Sequence, residues 1–276
     1  MTNAAPFANN PMVYAVATPK GGVGKSTTLS ALGIKLADEG KKVLLIDLDN
    51  IGSLTNNFQG ADVRLSQYSN VTQLFQEPDS GVNIVVNPVR DNLHLLQGDS
   101  TIGDFNRSND MTLILKMRDN LQDNLPGYST YDYVLIDTPA GNGNTVMAAL
   151  ICAHRVYSPI DLDINAIGSL AELTKILKPI RRSLNQNLQW SGFVINRVPK
   201  LISYLGKKVP HAVTDREIYN KLVSSFGDAA LLGVIALRTP IKTAISSGTW
   251  VTGNEDSAID AAYELEQFCK TLLEKK

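Results

Sequence analysis

Short apolar runs rich in Val, Ile and Leu recur along the chain: MVYAVAT, KVLLIDL, LHLLQ, YDYVLID, RVYSPI, GFVINRV and LLGVIAL. Several lack polar alternation, the mark of strands covered on both faces of a parallel sheet. Helical spacing lies between them. Leu29, Leu32 and Leu36 mark one face of a helix that closes near Gly40, ahead of Lys41 and Lys42. Leu170, Leu173, Leu177, Ile180 and Leu184 predict a second helix, which Pro179 should kink or end. The stretch TDRE, Thr214 to Glu217, matches a capping box opening a third, and a last helix runs from about Asp256 to Lys275. This alternation predicts the α/β class: a single doubly wound, mostly parallel sheet flanked by helices, spanning residues 12–276. Residues 56–131 are the least regular and are expected to hold loops. The opening MTNAAPFANNP has neither a basic start nor an apolar stretch, so it reads as a disordered tail and not a secretory signal.

Composition narrows the picture. The chain has 276 residues, 43% hydrophobic and 19% charged, as in ordinary soluble globular proteins. No run approaches the ~20 apolar residues of a membrane-spanning helix. Cys152 and Cys269, far apart and in apolar contexts, are expected to be buried free thiols of a reducing compartment. His94, His154 and His211 have no metal-ligand spacing. The net charge of −1 conceals an asymmetry: residues 170–221 hold ten Lys/Arg against three Asp/Glu, so that segment is +7 and the remainder −8.

The chemistry starts at TPKGGVGKSTT, residues 18–28. Small residues between a buried strand and a helix let backbone N–H groups close around phosphate oxygens, and the helix N-terminus adds partial positive charge. Gly21, Gly22, Val23, Gly24, Lys25, Ser26 and Thr27 form this candidate cradle, with Lys25 reaching the β- and γ-phosphates and the Ser26 hydroxyl on Mg²⁺. The standard loop pattern starts with a glycine where this chain has Pro19, and it has no place for a second lysine at Lys20. Asp47 and Asp49 lie two apart, so on an extended strand both would face the nucleotide at its C-terminal mouth.

K-G-G-V-G-K-S-T, Lys20 to Thr27, resembles the deviant Walker A loop of the ParA/MinD family of ATPases. VLLIDLDNIGSLT resembles the family's second acidic motif and YDYVLIDTPAG its Walker B strand. INR, Ile195 to Arg197, and LGVIALRTPIKTAISSG are weaker matches in the same order. The resemblance implies ATP and Mg²⁺ as cofactors, and a homodimer formed on ATP binding in which Lys20 contacts the phosphates held by the other copy. It implies that Asp137 holds Mg²⁺ through a water, that Asp49 orients the attacking water, and that Asp47 supports Mg²⁺ or Lys25. Asn196 would meet the adenine edge, with Arg197 and the Leu237–Pro240 loop completing the base pocket. Many members continue the second motif with Pro-Gln; Asn50-Ile51 stands here, so hydrolysis is expected to be slow or differently triggered.

The basic segment has two readings. On the predicted helix Lys175, Lys178 and Arg182 fall opposite the apolar stripe, either as a solvated face or as a phosphate-binding one. The resemblance favours non-specific DNA, with Lys200, Lys207, Lys208, Arg216 and Lys221 as further contacts. It implies a nucleoid-associated cytoplasmic protein that positions a plasmid, a chromosome origin or a large protein assembly, with a ParB-like or adaptor protein stimulating hydrolysis. The nucleotide domain starts within the first dozen residues, so no N-terminal DNA-reading domain, and no repression of its own operon, is expected. A MinD-like membrane-cycling ATPase is the alternative, but the tail YELEQFCKTLLEKK carries three glutamates, and a membrane is not the expected partner. A metabolic or redox member, such as one sharing a cluster between subunits, would need two suitably placed cysteines, and Cys269 lies in the wrong region. An inert nucleotide-binding module is the remaining reading.

Overall fold

Strand follows helix because each apolar run is covered twice. The structure, a computed structural model, describes residues 10–59, 64–108, 110–204 and 206–275; most of the expected N-terminal tail (residues 1–9) lies outside them. The first half contains β1 (Met12–Val16), α1 (Lys25–Asp38), β2 (Val43–Asp47), α2 (Ser53–Gln59), β3 (Asn87–Arg90), β4 (Leu93–Leu96), α3 (Ile102–Arg107), α4 (Leu113–Asp123) and β5 (Tyr133–Asp137). The second half contains α5 (Asn144–Cys152), β6 (Arg155–Ile160), α6 (Ala166–Ser183), β7 (Gln189–Val198), β8 (Leu201–Tyr204), β9 (Lys207–Pro210), α7 (Val213–Phe226), β10 (Leu231–Ala236), α8 (Thr239–Ser246) and α9 (Asp256–Leu273).

Eight strands form one sheet in the order β10-β7-β6-β1-β5-β2-β4-β3. Every pairing is parallel except the edge pair β3–β4. One face packs on α4, α5 and α6 through residues such as Val13, Ala15, Leu44, Ile136, Met117, Val146 and Leu173. The other packs on α1, α8 and α9 through Tyr14, Val16, Leu45, Leu135, Leu32, Ile241 and Phe268. The strand order places β1 between β5 and β6. The loop after β1 therefore opens at the carboxyl ends of three neighbouring strands, where open α/β sheets bind ligands.

Pro159 stands inside β6, although a central strand needs its backbone donors. Tyr157 accepts from the Ala17 amide, so Pro159, two residues on, also faces β1. There β1 has already left the sheet, and no ladder bond is lost.

Two local expectations need correction, and one element goes unannounced. Pro179 does not end its helix: α6 runs on to Ser183. The missing N–H would have served Lys175 on the solvent side, while Leu177 and Ile180 hold both halves to the core. The TDRE stretch does not cap α7. Its N-cap is Ala212, and Thr214 lies inside the first turn, because the His211 amide bonded to Lys200 delivers the chain to the helix two residues earlier. The basic segment also contains a hairpin, β8–β9, that no apolar run announces.

The terminal helix α9 buries Ala258, Ala261, Leu265, Phe268, Cys269 and Leu272 against the sheet, so its apolar stripe belongs to the core. Among the described residues no helix is long and apolar enough to cross a membrane. Cys269 is buried on this face, whereas Cys152 is only partly buried and packs on the other, so the two thiols do not form a ligand pair.

Gly192 sits at the irregularity between β6 and β7 with φ +131°, where an added Cβ would lie 2.0 Å from the Ala230 carbonyl oxygen. Gly168, inside α6, has open space around it. Gly192→Ala is expected to destabilise the chain by more than about 2 kcal/mol. Gly168→Ala should instead stabilise it by about 0.5–1 kcal/mol. Urea unfolding of the two variants distinguishes them, and similar effects would contradict the backbone assignment.

Candidate nucleotide site

Gly24 ends the loop in the left-handed region, φ +91°, and starts α1 without a side-chain cap or an acidic residue in the first turn. The first amides of α1 are thus left for an anion. Gly21, Gly22, Gly24, Lys25, Ser26 and Thr27 line one side of an open cavity of about 450 Å³; Asp49, Asn50, Ile51, Ser53 and Asn57 line the other. Val23 turns inward and is buried.

Two residues at the end of β7 brace the loop from behind. The Asn196 amide, buried, donates to the Val23 carbonyl at 2.9 Å, and a Cβ on Gly24 would lie 2.0 Å from that same nitrogen. Arg197, in the left-handed region at φ +60°, donates to the Gly22 carbonyl at 2.5 Å. Pro240 opens α8 and lines a different cavity, with Thr239, Thr243 and Trp250. Arg238 beside it is held by Glu264 and Asp260 at 2.8 and 3.0 Å. The residues expected around the base are thus spread over a loop brace and a separate pocket wall.

Charge is concentrated at the strand ends. Asp47 and Asp137 are register partners on adjacent strands, and both are fully buried. Burial pushes the Asp47 carboxyl up to about 6, against the bonds it accepts from Thr55 and the Asp49 amide. Burial and then the Asp47 charge push Asp137 up well above the usual carboxylate range. Burial also lowers the Lys25 ammonium, while Asp137 and Asp49 pull the other way.

Asp47 and Asp49 do not share a direction, because β2 ends at Asp47. Asp47 accepts from the Thr55 amide and hydroxyl, each at 2.7 Å, and from the Asp49 amide at 3.1 Å, which fixes the start of α2. Asp49 lies on the cavity wall, where its carboxylate accepts from the Ile51 amide at 3.1 Å.

The fit to a cation can be tested on Asp137. One of its oxygens accepts from the Ser26 hydroxyl at 2.5 Å; the other is buried with no hydrogen-bond partner. A hard cation takes oxygen donors of this kind, with phosphate oxygens completing its shell. Ser26 and Asp137 fit such an ion. Among the described residues no three His, Cys, Asp or Glu side chains converge as a metal site of their own.

Lys20 does not point into the cavity. Its carbonyl accepts from the Lys25 ammonium at 3.3 Å, and its own ammonium turns outward to Asp163 and to Asp161, the latter at 3.5 Å. Sequence reasoning overlooked these two aspartates, although Ile160-Asp161-Leu162-Asp163 repeats Ile46-Asp47-Leu48-Asp49 at a second strand end.

Of the candidate DNA contacts, Lys175, Lys178 and Arg182 are exposed along the outer face of α6. Among the described residues no carboxylate lies within ion-pair distance of them, nor of Lys200, Arg216 or Lys221. Lys207 and Lys208 differ: they pair with Asp228 at 3.2 Å and Asp260 at 3.3 Å.

Residues 12–190 match the family model AAA_31, described as an AAA domain. The chromosome-partitioning ATPase Soj of Thermus thermophilus is 32% identical over 227 residues, 77% of this chain and 84% of that protein. A plasmid partition protein of Borrelia burgdorferi, solved with AMPPNP, superposes with a TM-score of 0.72 at 25% identity, covering 97% of this chain and all of the other. The Cyanothece McdA(D38A)–ATP complex shares the fold, with a TM-score of 0.75 at 19% identity over 97% and 98% of the two chains.

The Gly24 contact yields a test of the brace. Gly24→Ala forces a methyl group into Asn196, whereas a methyl group on Gly22 meets only an Arg197 nitrogen at 4.0 Å. Calorimetric titration should show ATP affinity falling about tenfold further in Gly24→Ala than in Gly22→Ala. Equal losses would mean that Asn196 does not hold the loop.

Proposed function

The chain belongs to the ParA/Soj family of AAA_31 ATPases, and from that premise we propose that it is a slow, partner-stimulated ATPase that pairs on ATP, binds DNA without sequence preference and positions a cargo. The observation that carries this reading is the coexistence of the two-lysine phosphate loop with an outward basic face on α6 that no carboxylate among the described residues pairs. A solvated helix face ordinarily mixes signs. This one presents Lys175, Lys178, Arg181 and Arg182 with only Glu172 nearby in sequence, and Glu172 accepts from Asn142. Contacts of such a face are to phosphates, so they need no base-reading element and weaken steeply with salt.

Each residue of the site has a task in this reading. The amides of Gly21 to Thr27 and the Lys25 ammonium bind and orient the triphosphate. Ser26 and Asp137 would hold Mg²⁺, which when bound would supply positive charge beside the transferring phosphoryl group. Asp49, on the cavity wall, accepts a hydrogen bond from the attacking water and aims it. Asp47, locked by Thr55, keeps α2 and Asp49 in register. Lys20 adds a second cation from the paired copy, and a partner of the ParB or adaptor type speeds turnover.

Binding to random duplex DNA should be tight only with ATP. The triple variant Lys175→Ala/Lys178→Ala/Arg182→Ala should lower the slope of log affinity against log salt by about 2–3. DNA binding independent of nucleotide, or an unchanged slope, would count against the DNA surface. Asp49→Ala should cut steady-state turnover by about a hundredfold while leaving ATP binding within a few-fold. Undiminished phosphate release would move water positioning to another residue.

A further inference from the structure

The loop's two lysines each face an aspartate pair. Lys25 lies by Asp137 and Asp49, inside the cavity; Lys20 lies by Asp161 and Asp163, outside it. The second cluster is built on three elements. One Asp163 oxygen meets the Lys20 ammonium, and the other accepts from the Asn165 amide at 2.8 Å. The Asp163 carbonyl accepts from the Ala166 amide at 3.1 Å, so this residue also closes the turn into α6. Asp161 shares one oxygen between Lys20 at 3.5 Å and Arg197 at 3.9 Å, while its other oxygen is buried without a partner. Arg197 in turn holds the Gly22 carbonyl. The front half of the phosphate loop is thereby fastened to the ends of β6 and β7 through side chains alone.

The pairing acts on both ions. The hydrogen bond to Asp163 raises the Lys20 ammonium above its ordinary range. Burial pushes the Asp163 carboxyl up, but Lys20 and the amides of Asn165 and Ala166 outweigh it and hold the group below the usual carboxylate range. In this position the Lys20 ammonium is spent on its own chain, while its carbonyl accepts from Lys25.

We propose that Asp161 and Asp163 are positioning residues that hold Lys20 folded back in the single chain, so that pairing of two copies on ATP must first break this contact. The inference rests on the reading that Lys20 serves the nucleotide of a second copy. A triphosphate in the other copy's site offers the ammonium several charged phosphate oxygens in exchange for the two carboxylates. ADP, one phosphate poorer, competes less well, so the contact sharpens the discrimination between the two nucleotides.

The test measures dimerisation of the full chain with AMPPNP by sedimentation velocity. Asp163→Asn keeps an oxygen for the Asn165 amide and removes the charge that holds Lys20. It should tighten the dimer about three- to tenfold, and Asp161→Asn/Asp163→Asn at least as much. Asp163→Glu, which restores the carboxylate, should return the affinity towards that of the parent chain. The gain in Asp163→Asn should shrink as salt rises and vanish in a Lys20→Ala background, a non-additivity that a purely structural role would not produce. An unchanged or weaker dimer in both asparagine variants, with melting temperatures intact, overturns the hold. Normal ATP-driven pairing in Lys20→Ala alone overturns the crossing role on which it rests. Loss of pairing there, with no gain in the asparagine variants, overturns only the hold.

Discussion

Two carboxylates buried side by side are the constraint around which the site is built. Asp47 and Asp137 end adjacent parallel strands in direct register, fully inside the protein, where an ionised pair is disfavoured both by lost solvation and by mutual repulsion. Asp47 is satisfied internally by Thr55 and the Asp49 amide. Asp137 is not: one oxygen has Ser26, the other nothing. The fold therefore concentrates negative potential beneath the phosphate loop, and the nearest ammonium, Lys25, is itself lowered by burial. The partnerless Asp137 oxygen is a hard donor, of the kind that oxygen-seeking cations such as Mg²⁺ take.

The sheet order explains why two lysines and two aspartate pairs meet. β1 has β5 and then β2 on one side and β6 on the other. The loop leaving β1 consequently runs between the Asp47/Asp49 end of β2 and the Asp161/Asp163 end of β6. One tetrapeptide, Ile-Asp-Leu-Asp, occurs at both ends and does two jobs. At β2 its first aspartate is buried and structural and its second reaches the cavity; at β6 both remain near the surface and take the second lysine. Identical local sequence is read differently because β2 runs on to Asp47, which lies in register with Asp137 of β5, whereas β6 ends at Ile160, one residue before Asp161.

Much of the fold was legible in the sequence because parallel strands need unbroken apolar runs, and every run named became a strand of the main sheet. Lys25, Ser26 and Asp137 were picked out by local signals, a glycine-rich loop and an acidic strand end, and the structure places all three together. What the local pattern did not contain depended on partners distant in sequence. Pro179 continues α6 because Leu177 and Ile180 are anchored in a core the local pattern does not contain. Asn196 braces the loop because β7 runs behind it, 173 residues away in sequence. The β8–β9 hairpin escaped because LISY and KKVP are too short and too polar for a strand signal, and its register is fixed by pairing alone.

The basic segment shows the same dependence in electrostatic form. Counted along the chain, residues 170–221 hold a surplus of +7, and each lysine looks equally available. Folding changes that tally by bringing in acids from outside the segment. Asp161 reaches Arg197, Asp228 takes Lys207, and Asp260 takes Lys208 while also holding Arg238. The neutralised cations are those near the hairpin and the loop brace. Among the described residues of the segment, the cations without a partner carboxylate lie on α6, on α7 and at Lys200 between them, and the core stripe of α6 turns Lys175, Lys178 and Arg182 outward together. A polyanion responds to this residual field and not to the linear count. The sheet thus does two things at once: it gathers negative charge at the strand ends, beneath the glycine loop, and it leaves a positive surplus on the outer face of α6.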